Sequence, residues 1–171
     1  MAKQVSVNLL KKEVDIYNEH VDIPVNVPGM EDEFIIKLYP YFKPEKVRDV
    51  VKDLAQFYAK CKEENIPYKD EEHDDLVGFF IVKHFTNLKM SKSNKAKKVY
   101  EDFKVVINTD IFKFLMDSIP EESIEKVYTY MYEVIESSSK LETLVRQKQK
   151  EIENLPLKSK EILFPENKPL Q

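Results

Sequence analysis

Three histidines, one cysteine and a short acidic run are the side chains in this sequence best suited to chemistry. His73 and His84 are eleven positions apart. On a helix they would share a face, yet lie ~16 Å apart at ~1.5 Å per residue, too far to hold one metal ion. His20 is remote in sequence, and the His-Glu-x-x-His spacing of a zinc hydrolase is absent. The run Glu71-Glu72-His73-Asp74-Asp75 lacks the alternating oxygen ligands, central glycine and distal glutamate of a calcium loop. It suits the start of a helix, where acidic groups complement the positive end of the dipole. Cys61 falls on the apolar face of a helical pattern, where a thiol acts as a small hydrophobe with a raised pKa. Glycine occurs only at Gly29 and Gly78, so no phosphate-cradling loop or dinucleotide fingerprint can be built, and no Gly-x-Ser-x-Gly elbow is present. No catalytic, cofactor-binding or metal-binding residue is therefore assigned, and a non-enzymatic binding protein is expected.

Binding needs surface. Tyr128, Val127, Met131, Ile124, Val134 and Ile135 form one stripe of a helix, and Tyr130 and Tyr132 flank it, widening it from ~120° to about 200°. A face that wide, rich in tyrosine and methionine, is typical of interfaces, although a helix gripped on two sides by its own core would read the same way. Tyr128, Tyr130, Met131 and Tyr132 are candidate partner contacts. So are Ile162, Leu163 and Phe164, an apolar island bracketed by Pro156 and Pro165 in a Lys- and Pro-rich tail. That tail can dock on its own domain, on a partner, or on a second copy of the chain.

Lys89, Lys92, Lys95, Lys97, Lys98 and Lys104 face only Glu101 and Asp102 across the same stretch. A net charge of -4 for the chain, and only two arginines (Arg48 and Arg146), argue against nucleic acid and anionic lipid as partners. No apolar run approaches the ~20 residues of a membrane span. One cysteine cannot form an internal disulfide, which suits a reducing compartment. With 171 residues, 42% hydrophobic, the chain can bury a core.

The elements that would carry these residues are mainly α. Pro44 opens a helix on which Val47, Val50, Val51, Leu54, Phe57, Tyr58 and Cys61 recur at three- and four-residue steps, ending near Asn65. Residues 72–88 are apolar in nearly every direction of a helical wheel and belong at the centre of the fold; a buried strand is the competing reading. Ser93 is positioned to cap a third helix, Thr109 or Asp110 a short fourth, and Pro120 opens a fifth that Ser137-Ser138-Ser139 would interrupt. Residues 1–32 show no helical pattern. Val21, Ile23, Val25 and Val27 alternate with polar positions, and a turn at Pro28-Gly29 suggests a hairpin across 21–38, with an extended arm as the alternative. The expected architecture is a compact bundle of about five helices: an N-terminal arm or β-hairpin (1–32), a helical domain (33–154) and a polar C-terminal tail (155–171).

Two segments, Ile35-Ile36-Lys37-Leu38-Tyr39-Pro40-Tyr41-Phe42-Lys43-Pro44 and Phe79-Phe80-Ile81-Val82-Lys83-His84-Phe85-Thr86, together with the helix order and length, resemble the tail assembly chaperones of long-tailed phages and prophages of Gram-positive bacteria. The similarity covers roughly residues 30–150. The family has no invariant catalytic motif, so no residue role carries over. The resemblance implies a helical protein of the host cytoplasm, absent from the mature virion, that binds the tape measure protein, the tail tube protein or both before the tube polymerises. Self-association is a further expectation. A small cytosolic helical adaptor or regulatory protein is the alternative.

Overall fold

A computed structural model describes residues 4–93 and 95–154. The order is α1 (Val7–Asp15), β1 (Val21–Val25), β2 (Phe34–Leu38), α2 (Pro44–Glu63), α3 (His73–Phe85), α4 (Ala96–Ile107), α5 (Asp110–Asp117) and α6 (Glu121–Asn154). The chain divides into two units, Met1–Met131 and Tyr132–Gln171, and α6 has residues in both.

The hairpin forms as the alternation demands. β1 and β2 pair antiparallel with Ile23 opposite Ile36 and Val25 opposite Phe34. Gly29, at φ 83°, takes the left-handed conformation that its turn requires. The free edge of β2 is tied to the exit of α3: the Tyr39 N–H donates to the Phe85 carbonyl at 2.9 Å, and the Lys37 N–H to Asn87 Oδ1 at 2.7 Å. Phe42 stacks on Phe85 with ring centroids 3.7 Å apart, sealing that corner. Pro24 cannot donate to a ladder and sits on the outer strand, where its missing N–H does least harm.

α3 is a helix, not the competing strand. Every residue from Leu76 to Val82 is buried, as is Phe85, because α2, α4 and α5 all pack on it. Gly78 permits the approach of α5. A Cβ there would lie 3.0 Å from Phe112 Cζ and 3.4 Å from the Met116 Sδ. A larger side chain must displace Phe112, so Gly78→Val is expected to destabilise the protein by about 1–3 kcal/mol, read by urea denaturation. Unchanged stability would show that α5 can slide away.

Three local expectations are corrected. Ser93 does not cap the third helix: α4 starts after Lys95, and the carboxylate of Glu64, at the end of α2, accepts from the Ala96 and Lys97 N–H groups at 3.2 and 3.4 Å. The free N–H groups at the helix start are met by a partner 32 residues away. Ser137, Ser138 and Ser139 do not interrupt α6, in keeping with the small helix penalty of serine. Residues 7–15 are helical, contrary to expectation: Val7, Leu10 and Val14 fall on one stripe among good helix formers, but none is buried. Thr109 does cap α5, accepting from the Phe112 N–H at 3.2 Å. The start of α6 is held by Ser123, whose buried hydroxyl donates to the Pro40 carbonyl at 2.7 Å. Of the stripe expected on that helix, Ile124, Val127, Tyr128 and Met131 pack in the first unit, whereas Val134 and Ile135 are exposed.

Candidate functional site

The titratable groups assemble into three clusters, all in the first unit. In one, Asp53 of α2 accepts from Lys83 Nζ at 2.7 Å and pairs with His84 Nε2 at 3.0 Å, both on α3. Burial pushes the Asp53 carboxyl up, but the bond and charge of Lys83, with those of His84, outweigh it and hold the carboxyl below its usual range. Burial holds the His84 imidazole below its usual value despite Asp53. A histidine–aspartate pair could act as a general base. The adjoining cleft, lined by Asp53, Phe57, Lys60, Phe80, Ser93 and Val99, has a volume of about 60 Å³. The cluster joins α2 to α3.

In the second cluster, the Glu72 carboxylate gathers Lys104 Nζ, the Tyr100 hydroxyl at 2.8 Å and the Lys69 N–H at 3.2 Å. Lys104 also lies over the rings of Tyr100 and Phe103, at 5.1 and 5.5 Å from their centroids. Burial works against ionisation of Glu72, yet the bonds from Lys104, Tyr100 and Lys69 prevail and bring its pKa down to about 2. This network joins the start of α3 to α4.

The third pairs the Tyr58 hydroxyl with His73 Nδ1 at 2.8 Å, beside the Tyr68 ring at 5.0 Å. Burial, and then the neighbouring Tyr68, Cys61 and acidic groups, push the Tyr58 hydroxyl up to about 12, so it stays protonated. Among the described residues no group of three or more His, Cys, Asp or Glu is placed to hold a metal ion. Cys61 is buried, and burial raises its thiol pKa. Within the lysine stretch, Lys104 is committed to Glu72, and Lys98 meets Glu101 at 3.1 Å and Asp102 at 3.9 Å.

Tyr128, Tyr130, Met131 and Tyr132 differ in exposure. Met131 is buried at 7% exposure. Tyr130 is half-buried against the core, and the Tyr128 hydroxyl donates to Asp74 Oδ1 at 3.0 Å. The first unit thus uses three of the four for its own packing. Tyr132, in the second unit, is 67% exposed. Ile162, Leu163 and Phe164 lie outside the described residues.

Further exposed apolar side chains include those of α1 and the later part of α6. No residue of α1 is buried; Val7, Leu9, Leu10 and Val14 face solvent, as do Val5 and Ile16 beside it. Within α6 every residue from 132 to 150 is exposed, including Ile135, Leu141, Leu144 and Val145. Sequence reasoning named Tyr132, Val134 and Ile135 but missed Leu141, Leu144 and Val145, and it missed α1, although the three- and four-residue spacing of Val7, Leu10 and Val14 carries the signal. Among the described residues no helix is long and apolar enough to cross a membrane.

A family model described as YomO matches residues 7–170. The SPbeta prophage-derived uncharacterized protein YomO of Bacillus subtilis (strain 168) is 22% identical over 126 residues, covering 74% of this chain and 72% of that protein. No solved structure matches the chain.

Proposed function

For this chain, which belongs to the YomO family, we propose a non-enzymatic role in phage assembly: a tail assembly chaperone that binds the tape measure protein, the tail tube subunit or both. The prophage origin of its Bacillus relative supports the phage setting. The observation that carries the binding role is α1, an amphipathic helix with no buried residue. A nine-residue helix is marginal in water without a surface to pack on. Its apolar stripe gains from docking into a groove on another protein, at ~25 cal/mol for each Å² removed from water. Tyr132 and the sequence triplet Ile162, Leu163 and Phe164 are proposed as further contacts.

The same reading gives the three polar clusters a purpose without chemistry. Each fastens one helix of the body to another, which keeps the body rigid while α1 is presented. Co-expression tests the proposal. Tape measure protein and tube subunit from the same phage genome should stay soluble and co-purify with this chain. If both clients aggregate equally with and without it, the chaperone reading is wrong. Capture of a host regulator in their place would make the chain an adaptor.

A further inference from the structure

We infer that the outer edge of β1 is a peptide-docking edge: an extended segment of another protein, with apolar residues at alternate positions and a lysine or arginine near one end, adds there as a third strand. β1 has one neighbour in its sheet, β2, so its other edge is unpaired. The contacts of β2 tell which residues line that edge. Lys37 and Tyr39 send their N–H groups to the exit of α3. Ile36 and Leu38 therefore face β1, with Ile23 and Val21 opposite them, and the alternation of the ladder turns the backbone groups of Asp22 and Pro24 outward. Beside that edge lies a cleft of about 210 Å³ between β1 (Ile23, Pro24, Val25) and the start of α5 (Asp110, Ile111, Phe114). Ile23 and Val25 are buried beneath the sheet, and their apolar layer continues past the edge onto Ile111 and onto Phe114, which is 56% exposed. A strand ~4.8 Å beyond β1 would set its alternate side chains on those two.

Two features select the occupant. The backbone selects an extended segment: a helix has used its own N–H and C=O groups and would bury those of Asp22 and Pro24 unmet, whereas a strand pairs with them. The charge selects a basic one. Asp110 is the only charged side chain among the described residues lining the cleft, and its carboxylate has no hydrogen-bond or ion-pair partner among them. A second copy of β1 fits neither requirement as well. It carries no lysine or arginine, and two such edges paired together would leave two gaps in the ladder, one from each Pro24. A foreign strand meets one gap and can bring the cation.

A synthetic peptide alternating valine with threonine and ending in lysine, titrated into the full isotope-labelled chain and followed by NMR, tests the inference. Binding should slow exchange of the Asp22 amide and shift the resonances of Ile111 and Phe114. Phe114→Ser should weaken binding by about 10-fold or more, with the melting of the body unchanged because that side chain is exposed. Asp110→Asn should remove the preference for this peptide over one ending in glutamine. Pro24→Ala supplies the missing donor and should tighten the peptide about 2–10-fold, an effect that a pocket reading side chains alone would not show. No binding at millimolar peptide, undiminished affinity in Phe114→Ser, a preference that survives Asp110→Asn, or an Asp22 amide that exchanges as freely in the complex would each overturn the inference. So would an Asp22 amide protected in a dimer without peptide, which would give the edge to a second copy. The readouts involve neither α1 nor a phage client, so failure here leaves the chaperone proposal standing, and the reverse holds too.

Discussion

Replacing Phe80 by alanine is expected to destabilise the protein by about 3–5 kcal/mol, the range for a large aromatic truncated inside a core. Phe80 is 1% exposed. Its ring meets Phe79 edge-on at 5.3 Å and Phe57 at 5.9 Å, and Lys83 Nζ lies 5.3 Å from its centroid. The cavity left by alanine would sit inside α3, which α2, α4 and α5 surround, so neighbouring side chains cannot simply move in from solvent. A domain of this size is stable by only ~5–15 kcal/mol, so roughly a fifth or more of the total is at stake. Urea denaturation monitored by far-ultraviolet circular dichroism measures the loss. A loss below about 1 kcal/mol, the scale of an ordinary surface substitution, would show that α3 is not the centre of the fold.

Glu72→Gln should also destabilise the protein, by about 1–3 kcal/mol, because Lys104 and Tyr100 lose a buried charged acceptor. It should also alter the response to acid. The Glu72 carboxyl titrates at about 2 in the folded chain and at 4.5 when unfolded. Between those values the unfolded chain binds more protons, so stability falls as pH drops. The contribution of Glu72 is present in full above about pH 4.5 and is lost as pH descends through about 2. Urea midpoints taken at pH 7, 4.5, 3 and 2 should fall less steeply for Glu72→Gln than for wild type below pH 4.5. Parallel curves would place the acid sensitivity in other carboxylates.

Much of the fold was legible in the sequence because it is written in local periodicity. Pro44 and the seven apolar residues after it define α2 almost to the residue, and the all-round apolar wheel of residues 72–88 puts α3 at the centre. The hairpin followed from Val21, Ile23 and Val25 with a turn at Pro28-Gly29. What escaped was of two kinds. Long-range polar contacts leave no local pattern: Glu64 capping α4, Ser123 bonding Pro40 and Tyr128 bonding Asp74 join residues 32, 83 and 54 positions apart. The helical wheel of α6 gave the width of its face but not where the body lets go. The core takes Val127 and Met131 and leaves Val134 and Ile135 outside, so the apolar residues available to a partner lie further along the helix than Tyr128 and Met131. α1 escaped because nine residues hold only three on the stripe, too few to stand out beside the polar positions between them.

Hydrogen–deuterium exchange of the chain, alone and with the tape measure protein or tail tube subunit, decides whether this is a binding protein that works through its N-terminal helix. In the free chain the amides of residues 7–15 should exchange far faster than those of α3, because no residue of α1 is anchored in the core. Added client should protect residues 7–15 while the rate for α3 stays as it was, and Leu10→Asp should abolish that protection without altering the melting of the body. Client binding that leaves residues 7–15 unprotected, or that survives Leu10→Asp with undiminished affinity, would contradict it.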